Sequence, residues 1–296
     1  MNRTHSPLRR FARKIVMMII PHLFGSSPGW FLLKISRRFL AIGLKGTTLT
    51  CSGKIDGGGA QIQAIVSVAA FAKYFGARFV HTPLRSIEHC PKHLTMKEFC
   101  RQWEGIVSLF GVTKSSGGEF LRYEIDEFLL DLLTLRTRGK QICLENAHFL
   151  TDSHPEIYEL VGLAANSKER SAGERKAIYA HVRRGDVKQH GDTSFRYTSE
   201  EALRAHIEAV RKQHGTDPKV FIVTENPDAP FKEKFEDCIF ITEKDPVKVI
   251  RLLASADTLI MSKSAFSYVA GLLSKGIVYY EDYWQRPLPS WRVLPG

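Results

Sequence analysis

Residues 46 to 84 read GTTLTCSGKIDGGGAQIQAIVSVAAFAKYFGARFVHTPL. A run rich in β-branched residues, Thr47 to Ser52, gives way to a glycine-rich turn. An apolar stretch from Ala60 then runs far enough to be a helix, stops at Gly76, and is followed by Ala77 to Leu84, which reads as a second strand. Parallel neighbours need a crossover, usually a helix, so strand, glycine loop, helix, strand predicts a parallel α/β sheet.

The same grammar continues outward. TMKEFCRQWEGIVSLFG, residues 95 to 111, spaces Met96, Phe99, Cys100, Trp103, Ile106, Val107 and Phe110 on one helical face, and Trp103 reads as core. Residues 122 to 140 and 153 to 166 are expected as helices around a strand at KQICLEN, 140 to 146. NSKERSAGERK, 166 to 176, has no large apolar residue and reads as a linker. Beyond it come strand Ala177 to Val182, helix Ser199 to His214, strand Lys219 to Thr224 and a short strand Ile239 to Thr242. Helix Pro246 to Ser255, strand Thr258 to Met261 and helix Phe266 to Leu273 complete the series, with Thr198 and Glu201 as a capping box. The predicted architecture is α/β: two Rossmann-like domains, 46 to 168 and 174 to 296, facing a cleft, with a basic helical arm at 1 to 45.

Charge and cysteine limit the function classes. The 296 residues carry a net charge of +11, but nine Lys or Arg and no acid lie in residues 1 to 50, leaving 33 bases against 31 acids elsewhere. A nearly neutral body argues against a nucleic-acid-binding face, so no nucleic-acid partner is expected. In the arm, Leu8, Phe11, Ile15, Met18 and Ile19 share a side flanked by Arg9, Arg10, Arg13 and Lys14, and Ile15 to Ile20 is too short to span a bilayer. Three readings of residues 8 to 38 stay open: a peripheral membrane surface, helices packed on the body with basic outer faces, or a signal anchor. The five cysteines form no CxxC pair and are odd in number, which fits a reducing, cytoplasmic setting. Cys90, His93 and Cys100 offer three ligands where a structural zinc takes four, so no metal is expected.

The chemistry concentrates in AIYAHVRRGDVKQHGD, residues 177 to 192. Ligands of doubly wound sheets lie beyond the carboxyl ends of the strands, where this one breaks into Arg183, Arg184 and Asp186. Guanidinium forks suit phosphate oxygens, and a carboxylate can hold one fork in aim. The expected ligand is an anion with several oxygens, a solvated turn being the bland alternative. The RGD tripeptide at 184 to 186 is common by chance and is set aside as an adhesion signal.

HVRRGD (181 to 186) matches the His-x-Arg-Arg-x-Asp motif of the GT-B fucosyltransferases at every fixed position. GGGAQIQ (57 to 63) is similar to their Gly-x-Gly-Asn-Gln loop. ADTLIMSKSAFSYVAGLLS (256 to 274) is similar to their Ser-x-Phe-Ser segment, here Ser264, Phe266 and Ser267. The chain thus resembles the alpha-1,2-, alpha-1,6- and protein O-fucosyltransferases over residues 46 to 85 and 177 to 280.

That resemblance implies an inverting transfer of fucose from GDP-fucose to a glycan or glycolipid acceptor lying over the N-terminal domain, with no metal and no cofactor. It implies that Gly57, Gly58, Gly59, Gln61, His181, Arg183, Asp186, Ser264, Phe266 and Ser267 bind substrate. Arg183 would grip the β-phosphate, His181 touch the nucleoside, Arg184 and Asp186 order the loop, and Ser264 or Ser267 bond phosphate or ribose. Catalysis would fall to Arg183 and Arg184, with Asp192 or Glu225 as base. Three positions depart from the family. Ala60 replaces Asn, Gly191 stands where alpha-1,6 members carry a carboxylate, and Val249 replaces an acid associated with guanine, a role left to Asp245 or another group. Another nucleotide sugar, a non-catalytic nucleotide-sugar-binding protein and a basic membrane or nucleic-acid adaptor are the alternatives.

Overall fold

The computed structural model describes residues 37–52, 56–112, 114, 118–145, 154–164, 177–184, 187, 194–214 and 218–294. The arm up to residue 36, the linker expected at 166 to 176, Asp186 and Asp192 lie outside the described residues.

The first half is a four-stranded parallel sheet in the order β2-β1-β4-β3, built from β1 (Thr48–Ser52), β2 (Arg78–Phe79), β3 (Leu121–Tyr123) and β4 (Gln141–Glu145). Helix α1 (Gly58–Phe75) follows β1, and all of it but Ala60 and Lys73 is buried. A helix that is apolar all round must be enclosed on every side. Here β1 covers one side and the second half of the molecule the other. Gly76 ends it at φ 77, the left-handed conformation that glycine adopts without a Cβ penalty. Helix α2 (Met96–Val107) starts on a Thr95/Glu98 capping box and buries Phe99, Cys100, Trp103, Ile106 and Val107, the expected stripe.

The second half is a six-stranded parallel sheet in the order β10-β9-β8-β5-β6-β7. Its strands are β5 (Ala177–Val182), β6 (Lys219–Thr224), β7 (Ile239–Ile241), β8 (Thr258–Ile260), β9 (Ile277–Tyr280) and β10 (Arg292–Val293). Four of its helices matter for the site: α5 (Glu200–His214), α6 (Ala229–Lys234), α7 (Pro246–Ala254) and α8 (Ala265–Leu273), the earlier α3 (Ile125–Leu133) and α4 (Glu156–Leu160) belonging to the first half. Side chains of α5 and α6 pack on one face of the sheet with Ile178, Ala180 and Val182. Helices α7 and α8 lie on the other face, where they meet α2 and α1. One apolar cluster runs from Leu49, Val66 and Trp103 through to Ile250, Tyr268 and Trp291, so the halves share a continuous core. Gln285 Nε2 donates to Gln63 Oε1 at 2.5 Å across that junction, a bond between two buried amides.

Several expectations need correction. The head of the predicted helix at 122 to 140 is strand β3, which pairs with β4, and Tyr123 donates to Asp131 at 3.0 Å to fix the following helix α3. The helix expected over 153 to 166 is only α4, and Gly162 at φ 66 follows it. The capping box of Thr198 with Glu201 is not formed. Ser199 Oγ instead accepts from Ala202 N at 3.1 Å, and the Thr198 hydroxyl donates to Glu281. Strand β2 is two residues long, followed by an isolated bridge at His81. Residues 37 to 43 are helical, Leu40 and Leu44 join the core, and the Arg37 guanidinium lies 4.5 Å from the Tyr74 ring centroid. Among the described residues no helix is long and apolar enough to cross a membrane, and no group of His, Cys, Asp or Glu is disposed to hold a metal ion.

Candidate active site

Both sheets have a topological switch point, and the two meet. In the second sheet the chain runs from β5 outward through β6 and β7, then returns to lay β8, β9 and β10 on the other side, so the switch lies between β5 and β8. In the first sheet it lies between β1 and β4. A crevice at the carboxyl ends of such strands is where open α/β sheets take ligands. The carboxyl end of β1 leads to the glycine loop at 57 to 59, and that of β8 leads to Ser262–Ser267.

Alternation along β5 decides which side chains face that crevice. Ile178, Ala180 and Val182 point to the α5 and α6 face. Tyr179 packs toward α7 and α8, and His181 lies 5.3 Å from the Phe266 ring between centroids. The Arg184 guanidinium is 4.4 Å from the Tyr197 ring and 5.2 Å from Phe231, and Nη2 donates to Thr198 O at 3.2 Å. Beyond Val182 both arginines line one small cavity with Thr198 and Glu281. Arg184 braces the segment before α5 through Thr198 O, and Arg183 lies just past the carboxyl end of β5.

His181 is held by serines. Its Nδ1 lies 2.5 Å from Ser267 Oγ and 2.9 Å from Ser262 Oγ, and Ser262 Oγ is 2.9 Å from Ser264 Oγ. Ser262 N donates to Ser267 Oγ at 3.2 Å, and the Ser262 and Ser267 hydroxyl oxygens are 3.0 Å apart. Burial, reinforced by the positive charge of Arg183, pulls the His181 pKa down to about 3. His181 is thus neutral at ordinary pH. Ser264 also caps α8 by accepting from Ser267 N at 3.1 Å.

The glycine loop closes against this cluster. A Cβ on Gly59 would stand 2.7 Å from Phe266 N and 2.9 Å from its Cα, and one on Gly58 would fall 2.2 Å from the Trp103 ring. Trp103 in turn meets Phe266 edge-on at 5.9 Å. Only glycine lets the amino terminus of α1 approach the amino terminus of α8 so closely. Neither helix carries an acid in its first turn, so two positive dipole ends converge beside His181. Gln61 Nε2 donates to Asp56 O at 2.7 Å and Ser86 O at 2.8 Å, so this amide anchors the loop.

Of the residues singled out from sequence, the structure brings together Gly58, Gly59, His181, Ser264, Phe266 and Ser267, with Arg183 just past the end of β5. Gly57 has open space around it. Glu225 is exposed just past β6, and the register Val182↔Thr224 sets it beside Arg183. Val249 is buried in the core, and Asp245 Oδ1 is committed to capping α7 through Val247 N at 2.8 Å. Sequence reasoning missed Ser262, Lys263 and Glu281, and read Thr198 as a helix cap. Lys263 Nζ lies 2.9 Å from Glu281 Oε1, and Glu281 also accepts from Thr198. Only Ser262, inside the serine run, could have been suspected.

No protein-family model matches the sequence, and no curated protein does. Among solved structures the chain is similar to fucosyltransferase NodZ from Bradyrhizobium: 18% identity, TM-score 0.43, over 78% of this chain and 94% of that one. It is also similar to heptosyltransferase WaaC from E. coli with ADP-2-deoxy-2-fluoro heptose: 10% identity, TM-score 0.36, over 84% and 92%. At these scores neither likeness bears on the site.

Proposed function

We propose that the chain is a glycosyltransferase that takes a nucleotide-sugar donor, and more narrowly an inverting, metal-independent fucosyltransferase using GDP-fucose and a glycan or glycolipid acceptor. The observation that carries the reading is Arg183 just past the carboxyl end of β5, the strand whose His181 lies where two acid-free helix amino termini meet at the switch points. Such a site favours a diphosphate. The motif resemblance supplies the sugar.

In this reading the diphosphate of the donor lies between Arg183 and the α8 amino terminus. As the bond to the sugar breaks, negative charge grows on the β-phosphate, and fixed donors that need no reorganisation stabilise it. His181 is neutral and held by Ser262 and Ser267. Ser264 and Ser267 act by fixing His181 and capping α8, and Arg184 by bracing the loop. Glu225 or Asp192 takes the proton from the acceptor hydroxyl, which attacks from the far side and inverts the configuration.

A second reading, another nucleotide sugar, is favoured by Val249 being apolar and buried and Asp245 being committed to a helix cap. Melting temperatures with GDP, UDP, ADP and CMP distinguish the two, because a ligand of the native state raises Tm. GDP should stabilise most, equally with EDTA. A shift confined to another nucleotide selects the second reading, and a shift that appears only with Mg²⁺ or Mn²⁺ refutes the metal-independent site. Donor hydrolysis by the purified chain separates an enzyme from a binding protein.

A further inference from the structure

We propose that Lys263 is a second cationic contact for the diphosphate, held in place by Glu281. This rests on the glycosyltransferase reading and adds to it a residue that neither motif nor spacing singles out.

Lys263 sits in the turn between β8 and α8, flanked by Ser262, which bonds His181, and Ser264, which caps α8. A lysine immediately before a helix amino terminus opposes the dipole, so by local energetics it is out of place. Its side chain is only 19% exposed, and its Nζ lies 2.9 Å from Glu281 Oε1. Glu281, just past β9, is itself 7% exposed and accepts a second bond from the Thr198 hydroxyl. Glu281 lines a small cavity with His181, Arg183, Arg184, Arg196, Thr198 and Ser262. Its bond to Lys263 therefore holds the ammonium beside that cavity, past the carboxyl ends of β8 and β9.

Several costs converge here. Burying a lysine and a glutamate takes each from water, and replacing the pair by apolar groups of similar volume is often neutral or stabilising. Stability alone does not call for a cation at this place. A diphosphate carries charge enough for more than one cation, and Arg183, Arg184 and Arg196 line the cavity beside Glu281. An ammonium has three protons, so bonding to Glu281 leaves it able to bond phosphate as well. Glu281 would then fix the direction of Nζ, and Thr198 the direction of Glu281, which makes Glu281 a positioning residue and Lys263 a contact.

The test is calorimetric binding of GDP and of inorganic pyrophosphate to the full chain. It compares wild type, Lys263→Arg, Lys263→Met and the double variant Lys263→Met with Glu281→Gln. The double variant avoids leaving a buried carboxylate unpaired, so it should fold as wild type. It should bind both probes about tenfold or more weakly, the loss expected for one charge-assisted bond, and depend less on salt. Lys263→Arg should recover part of the affinity. A folded double variant with wild-type affinity for both probes overturns the proposal and leaves the glycosyltransferase reading standing. If wild type binds neither probe nor any nucleoside diphosphate, that reading falls and Lys263 falls with it.

Discussion

Three consecutive glycines, 57 to 59, should respond to alanine in three different ways, and the differences can be worked from their surroundings. Gly57 has nothing within 4 Å of an added Cβ and a φ of −55 that any residue adopts. It caps α1, where alanine is worse than glycine by roughly 0.5 to 1 kcal/mol, while the stiffer unfolded chain offsets about 0.4 to 1 kcal/mol. Gly57→Ala should be nearly neutral. Gly59 lies in the first turn of α1, where alanine gains at most the roughly 1 kcal/mol of a helix interior. Against that, its Cβ would stand 2.7 Å from Phe266 N, 2.9 Å from Phe266 Cα and 3.2 Å from Ala265 C. These are backbone atoms of another helix, and no rotamer change relieves them. Overpacking of that kind costs about 3 kcal/mol at the upper end, so the net loss is about 2 kcal/mol.

With a urea slope of about 3 kcal/mol/M, that loss lowers the unfolding midpoint by roughly 0.7 M. Because the strain falls where α1 meets α8, donor hydrolysis should drop as well. Gly58→Ala drives a methyl into the Trp103 ring at 2.2 Å and should be at least as damaging. Circular dichroism against urea for the three variants is the assay. A Gly59→Ala midpoint matching wild type and Gly57→Ala would show that the two helix amino termini do not touch as described, and the site built on that contact would fail.

Arg183→Lys keeps the charge and loses the fork, so turnover should fall on the order of 10²; near-normal kinetics would remove Arg183 from the crevice. Arg184→Lys should show mainly as a lower Tm, through loss of its stacking on Tyr197 and Phe231, and an unchanged Tm would contradict that packing. His181 has a pKa of about 3 when folded and about 6.5 when unfolded. Between those values the unfolded chain binds a proton the folded one does not, so its contribution to stability rises with pH from about 3 to 6.5 and is level above. His181→Gln should flatten that part of the profile, and a slope unchanged by the substitution would refute the assignment. Deleting residues 1 to 24 should abolish binding to anionic vesicles while retaining donor hydrolysis, each basic residue being worth about 1 kcal/mol at such a surface; a full-length chain that ignores vesicles refutes the membrane reading of the arm.

The elements legible in sequence were those with a strong period and punctuated ends. Strand β5 alternates cleanly, α1 ends on a glycine, and α2 has both a stripe and a capping box. Strand β3 was hidden because LRY is too short to show alternation and runs straight into an apolar helix. The Thr198 misreading has the same origin. A Thr-x-x-Glu pattern looks like a cap, but Thr198 is drawn to Glu281, 83 residues away, and Ser199 takes the cap. The strand-end position of Arg183 was readable, but the hold of Arg184 on Tyr197, Phe231 and Thr198 was not, because those partners come from the segment before α5 and from α6. The serine cage around His181 was half readable, through Ser264 and Ser267. The Lys263 and Glu281 pair was not, since it exists only because β8 and β9 are neighbours in the sheet.

The site separates two kinds of selectivity. In the proposed enzyme the groups that serve negative charge are the Arg183 guanidinium, the neutral His181 and two helix amino termini without acids in their first turns. None of these groups distinguishes one sugar from another. In the proposed enzyme, sugar and base must be read elsewhere, by groups reached from the end of β6, where Glu225 lies, or from the first half across the crevice. A substitution among the charged groups should then weaken every nucleoside diphosphate alike, while one that changes donor preference without changing pyrophosphate affinity must map outside them.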